Sequence, residues 1–199
     1  MKKIVLGSTS PYRKEILAKL NIHFETAKPN IDEKPQANET PEQLVARLAE
    51  QKAMAVQADF ENALIIGSDQ VAVFGDKILG KPHTEENAIK QLMSFSGQHV
   101  TFLTGLSVFD TATKEAKTLV EQFSVYFRQL TELEIRAYVK AEQPLNCAGS
   151  FKSEGLGICL FEKLVGDDPN TLIGLPLIKL CELFKRFGVN VLEHQSITE

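Results

Sequence analysis

Leu64-Ile65-Ile66-Gly67-Ser68-Asp69-Gln70 is an apolar run that reaches a single carboxylate, and it reads as a buried strand ending at Asp69. A lone acid at a strand end is a place for a cation or an attacking water. A second short strand, Ile4-Val5-Leu6, leads into Gly7-Ser8-Thr9-Ser10-Pro11-Tyr12-Arg13-Lys14, a hydroxyl-rich turn that opens a helix. Ser10 suits the N-cap and Pro11 the first helical position, so the free backbone N–H groups and the helix dipole favour an anion. Arg13 and Lys14 place positive charge beside it. Taken alone, the turn is equally a capped helix with solvated basic residues. It lacks the lysine pattern of a P-loop, which excludes that site.

Outward from these two strands, extended and helical signals alternate. Ile16, Leu17 and Leu20 share one side of a helix from Pro11 to Leu20, and Phe24 to Ala27 is extended, giving a β-α-β opening. Thr40-Pro41-Glu42-Gln43 combines an N-cap, a first-turn proline and a capping-box glutamine, predicting a long helix to about Asp59. Val71 to Phe74, a Gly75-Asp76 turn and Lys77 to Leu79 resemble a hairpin. A helix follows from Thr84 to Phe95, then strands over 100–109 and 119–127. Thr131-Glu132-Leu133-Glu134 is another capping box, opening a helix to about Ala141. Glycines 149, 155 and 157 mark loops before a strand at Ile158-Cys159-Leu160-Phe161, and the last helix covers Pro176 to Phe187. The expectation is a mixed α/β (α+β) architecture: one domain over 1–192, in two lobes with a cleft between them, and a frayed tail at 193–199.

The chain has 199 residues and a formal charge of −4, which argues against a protein that grips nucleic acid by its phosphates. Met1-Lys2-Lys3 precedes only a short apolar strand, with no signal-peptide core and no stretch long enough to span a bilayer, so a cytoplasmic location is expected. Cys147, Cys159 and Cys181 are odd in number and lack C-x-x-C spacing. They read as reduced structural thiols. His23, His83, His99 and His194 form no ligand spacing either.

Three further features carry charge. Lys52 follows Leu48 by one turn, which sets its stem near the buried side of the long helix and calls for an anionic partner unless the side chain snorkels to water. Lys81, in Gly80-Lys81-Pro82, sits in the turn after the hairpin. Asp32-Glu33 lies in a polar loop. The Asp32-Glu33 pair and Asp69 could meet only through the fold, and two carboxylates suit magnesium, which takes oxygen ligands and shares them with substrate phosphates; a solvated loop pair is the alternative for Asp32-Glu33.

Ser8 to Lys14, Asp32-Glu33, Ser68-Asp69-Gln70 and Gly80-Lys81-Pro82 together resemble the Maf family of nucleoside triphosphate pyrophosphatases. Cys147-Ala148-Gly149-Ser150-Phe151-Lys152-Ser153-Glu154-Gly155 and Asp168-Pro169-Asn170-Thr171 extend the match nearly to the end. The resemblance implies a two-lobed Maf/ITPase-like fold with a mixed twisted sheet, flanking helices and a central cleft. It also implies hydrolysis between the α- and β-phosphates of a nucleotide. On matching positions, Asp69 is the proton acceptor that prepares water. Glu33 and Asp69 hold a divalent cation, magnesium or manganese, and Ser8, Ser10, Arg13, Lys14, Lys52 and Lys81 contact phosphates. Base preference in the family separates at the positions of Tyr12, Gln70 and Glu154. Members acting on dTTP and UTP carry arginine, threonine and glutamine there, so this chain is closer to the branch acting on 7-methyl-GTP, although Tyr12 stands where tryptophan is frequent. An aromatic ring stacks on a cationic methylated guanine, and a carboxylate accepts from its N–H edge. The resemblance is compatible with a homodimer. Rival readings are a dTTP/UTP pyrophosphatase and a nucleotide-binding regulator of septum formation.

Overall fold

A computed structural model describes residues 2–195. Strand β1 (Lys3–Gly7) pairs in parallel with β2 (Glu25–Ala27) and with β3 (Ala63–Phe74). Helix α1 (Pro11–Ala18) connects β1 to β2, and α2 (Pro41–Ala55) connects β2 to β3. Strand β4 (Lys77–Leu79) folds back antiparallel on β3. Then come α3 (Glu85–Phe95), β5 (His99–Asp110), β6 (Glu115–Phe127), α4 (Glu132–Glu142), β7 (Phe161–Val165), α5 (Pro169–Ile173) and α6 (Leu177–Arg186). The hydrogen-bonded order is β2-β1-β3-β5-β6-β7, with β4 added to β3. A mixed sheet with helices is the α/β class expected. Among the described residues no helix is long and apolar enough to cross a membrane.

The chain divides into two compact units. Unit 1 is the described part of Met1–Gln70, Thr104–Glu121 and Asp168–Glu199; unit 2 is Val71–Leu103 and Gln122–Asp167. In unit 1, alternation along β1 and β3 sends side chains to two cores. Ile4, Leu6, Leu64 and Ile66 pack with Ile16 and Leu17 of α1 and with Leu180, Leu183 and Phe184 of α6. Val5 and Ile65 face the other way, onto Ala53 and Val56. Each fully buried aliphatic side chain contributes about 1.5–3 kcal/mol. Unit 2 is built on aromatic rings: Phe127 lies 5.5 Å from Phe95 and 5.4 Å from Phe151, and Phe151 lies 5.2 Å from Phe161.

The caps behave as read. Thr40 accepts from the Gln43 N–H while Gln43 accepts from the Thr40 N–H, and Thr131 and Glu134 repeat the exchange. Several expectations are corrected. Asp69 does not end its strand: β3 runs on to Phe74, because residues 72–74 gain a partner in β4. What ends after Asp69 is the fully buried stretch. The strand expected at 158–161 begins only at Phe161; Leu156–Leu160 is a 3₁₀ turn, in which a side chain on Gly157 would meet the Lys152 carbonyl at 2.2 Å. The long helix stops at Ala55, and a 3₁₀ turn covers Gln57–Asp59. Helix α5 was not anticipated, although Asp168 caps it and Pro169 begins it. Of the tail expected at 193–199, Gln195 donates to the Leu20 carbonyl, and residues 196–199 lie outside the described residues.

Candidate active site

The site starts where β1 ends. Ser8, only 6% exposed, accepts from the Ser10 N–H at 3.1 Å, and Ser10 in turn caps α1 by accepting from the Arg13 N–H. Pro11 stands at the first helical position, where its missing N–H costs no helical hydrogen bond. A cavity of about 460 Å³ opens here, lined by Ser8, Thr9, Ser10, Pro11 and Lys14 on one side and by Thr26, Ala27 and Lys28 on the other. Hydroxyls, a helix start and two lysines make it suited to an anion.

Helix α2 brings the second half, and it does so by lying unusually close to the strands. A side chain at Gly105 of β5 would meet the Val45 carbonyl at 2.0 Å, and one at Gly67 of β3 would meet the Ala49 carbonyl at 2.0 Å. These glycines let the helix settle so that Lys52 reaches the acid on β3. The Lys52 ammonium lies 2.7 Å from Asp69 Oδ1 and 3.0 Å from Glu33 Oε1. Lys52 and Asp69 are both buried, whereas the Glu33 side chain is 60% exposed. The loop carrying Glu33 is itself held: Arg47 binds both carboxylate oxygens of Glu39, at 2.6 and 2.7 Å, and the Lys34 carbonyl at 3.1 Å. The hydrogen bonds from Arg47 are the main cause that pulls the Glu39 carboxyl down to about 2.

Alternation puts Ser68 and Gln70 on the opposite face from Asp69. Ser68 Oγ and Arg13 Nε both donate to the Gly174 carbonyl at 2.9 Å. Partial burial pushes the Arg13 guanidinium down from its ordinary value, while the charges of Asp69 and Glu33 oppose that shift. Arg13 therefore lies within reach of both acids, and it remains a cation. The register pairs β1 only with residues 63–66 of β3, so Asp69 lies beyond the end of that parallel neighbour. The space outside the carboxyl ends of parallel strands is where α/β sheets bind ligands.

The structure thus gathers Ser8, Ser10, Arg13, Lys14, Glu33, Lys52 and Asp69 within unit 1. Tyr12 sits on α1 and is 49% exposed, and Gln70 is bound internally through its amide nitrogen. Lys81 and Glu154 belong to unit 2, both exposed and both close enough for their charges to act on Cys147. Sequence reading missed Ser68, Thr104, Thr171 and Gly174 as partners of these groups. The Asp168-Pro169 pair, a cap followed by a first-turn proline, was the one signal of the segment that carries Thr171 and Gly174. A larger cavity, about 680 Å³, lies along α2 between Asp32, Lys34, Arg47 and Met54 and includes neither Ser8 nor Asp69.

Among the described residues, no group of three or more His, Cys, Asp and Glu side chains is arranged to hold a metal by itself. The Glu33 and Asp69 pair fits the other mode, one or two carboxylates completed by substrate phosphates. The ammonium between these carboxylates shows that their field favours a cation.

The arrangement is that of an α/β protein able to hold a phosphate-like anion beside paired carboxylates. The Maf-like protein model matches residues 3–187, and the chain belongs to the Maf family. A protein of Colwellia psychrerythraea named 7-methyl-GTP pyrophosphatase is 62% identical over 98% of both chains. Proteins with the same name from Pseudoalteromonas translucida and Vibrio cholerae are 60% and 57% identical, covering 98% and 96% of this chain and 96% and 98% of their own. Among solved structures, a HAM1 protein from Coxiella burnetii aligns with a TM-score of 0.44 at 12% identity, over 64% of this chain and 73% of that one.

Proposed function

We propose that this chain hydrolyses the α–β anhydride of 7-methyl-GTP, or of another modified nucleotide, to the nucleoside monophosphate and pyrophosphate, as a cytoplasmic house-cleaning enzyme. The names of relatives 57–62% identical over nearly the whole chain support the substrate. The observation that carries the chemistry is the Lys52 ammonium set between Asp69 and Glu33.

In this reading the triphosphate lies against the turn of Ser8 and Ser10, with Arg13, Lys14 and Lys52 neutralising its charge. Lys52 holds Asp69 by Oδ1, which leaves Oδ2 free to take a proton from the attacking water. Glu33 and Asp69 would hold a divalent cation, magnesium or manganese, which when bound supplies charge neutralisation for the departing pyrophosphate. Tyr12 would stack on the base. For Lys81 and Glu154 the phosphate and base roles rest on the family resemblance alone.

The test is a panel of 7-methyl-GTP, GTP, dTTP and UTP, with magnesium present or chelated, in which pyrophosphate and monophosphate are both measured. Preference for 7-methyl-GTP, loss of turnover on chelation, and a fall of about 10²- to 10⁴-fold in Asp69→Asn are expected. Equal or better rates on UTP or dTTP would reject the substrate, and full activity in Asp69→Asn would reject the assigned base.

A further inference from the structure

Residues 32–38 are all exposed, yet the carboxylate of Glu39, which closes this loop before α2, is buried, its side chain only 6% exposed. Its partner is Arg47. One guanidinium uses its fork on both Glu39 oxygens, at 2.6 and 2.7 Å, on the Lys34 carbonyl at 3.1 Å and on Gln51 Oε1 at 3.0 Å. Gln51 lies one turn further along α2, so the guanidinium is fixed to its own helix as well as to the loop. Glu39 Oε2 also accepts from the Gln36 N–H, which carries the hold back toward Glu33. Packing does little here, because a cavity of about 680 Å³ opens between Ile31, Asp32 and Lys34 of the loop and Met54 and Ala55 of the helix. Among the described residues, the hydrogen bonds and ion pairs that join residues 30–39 to the rest of the chain come from two side chains of α2, Arg47 and Lys52. Lys52 meets a Glu33 side chain that is 60% exposed, a contact for which water competes.

We infer that Arg47 is a positioning residue for the reaction: by clasping Glu39 and the Lys34 carbonyl it holds the 30–39 loop so that Glu33 stays at the Lys52 ammonium beside Asp69. The inference rests on the function proposed above, in which Glu33 serves the reaction. An exposed loop gives up conformational freedom when it is ordered. A weak contact such as that of Glu33 with Lys52 is kept only where another anchor has already ordered the chain around it, and Lys34 is the next residue. A rival account is a charge effect on Asp69, whose field reaches the guanidinium. Arg47→Lys separates the two, since it keeps the charge but not the fork.

The experiment compares Arg47→Met, Arg47→Lys, Glu33→Gln and the two double variants, with urea melts to follow folding. The first readout is cleavage after Glu33 by a glutamate-specific protease acting on the folded protein, which requires the loop to open locally. It should rise about tenfold or more in both Arg47 variants while the rest of the chain stays protected. The second readout is kcat/KM for the preferred nucleoside triphosphate. It should fall about tenfold in Arg47→Met, the lower end for hydrogen bonds to a charged group, and nearly as far in Arg47→Lys. In the Glu33→Gln background the same changes should cost less than about twofold, because a residue that acts through another then has nothing left to position. An unchanged cleavage rate, full activity in Arg47→Lys, or an equal fall in both backgrounds overturns the inference. Should the wild-type chain turn over no nucleoside triphosphate, the proposed function fails, and the cleavage rate alone decides whether Arg47 holds the loop. If Arg47→Met fails to fold, Glu39→Met removes the clasp from the loop side and is judged by the same outcomes.

Discussion

Lys52 is the residue on which the acidic cluster depends. Its ammonium touches two carboxylates, one of them buried, and removing one member of such a set leaves uncompensated charge in a poorly solvated place. Lys52→Met keeps the stem but not the charge. It should cost about 3 kcal/mol, the lower end of the range for breaking a buried pair, since Glu33 remains largely in water. Urea unfolding measures that loss, and pyrophosphate release should fall well beyond what the unfolded fraction explains. Wild-type stability in the variant would mean that water already screens the pair. The need for an anionic partner was legible from the place of Lys52 one turn after Leu48. Which acids supply it was not, because Glu33 and Asp69 come from a loop and a strand separated by all of α2.

At the scale of elements, the close seating of α2 on the strands is the decisive contact. Gly67→Ala would place a methyl carbon 2.0 Å from the Ala49 carbonyl, so the helix must move outward and carry Lys52 with it. A loss of about 3 kcal/mol is expected, seen as a lower urea midpoint at unchanged slope, together with loss of turnover. Activity at the wild-type level would show that the helix can shift without disturbing Lys52. Helix α4 offers a second test, this time of its cap. The Glu134 carboxyl is held at about 2, first by the Thr131 N–H, then by Arg128 and the Thr131 hydroxyl. A depressed carboxyl stabilises the fold above its ordinary value of 4.5, and that contribution disappears as the pH falls toward 2. Glu134→Gln should therefore be less stable than wild type at neutral pH and show a flatter acid limb, as urea midpoints across this window would reveal. An acid limb as steep as in wild type would remove Glu134 from the account. Caps of this kind were readable in advance because donor and acceptor are three residues apart. The start of β7 was not, since Gly157 and the Lys152 carbonyl meet only through the folding of the loop between them.

For the whole molecule, the net charge of −4 limits the partners. The lysines and arginines are used locally, many in pairs such as Arg47 with Glu39 and Arg128 with Glu134, leaving no basic excess to release counterions from a duplex. Fluorescence anisotropy with labelled duplex DNA at about 0.15 M salt should show no binding at micromolar protein, and a salt-dependent rise would contradict it. Composition, helix starts and the residue types of the chemistry were determined by the sequence itself, because each depends on neighbours within a turn or on simple totals. Tertiary structure alone decided that β3 passes through Asp69 instead of stopping there, that Lys52 joins Asp69 to Glu33, and that two carbonyls of α5 orient Gln70. Those outcomes depend on strand order and on how near a helix can approach a strand. Both are set by contacts between residues far apart in the chain, which leave no local pattern to read.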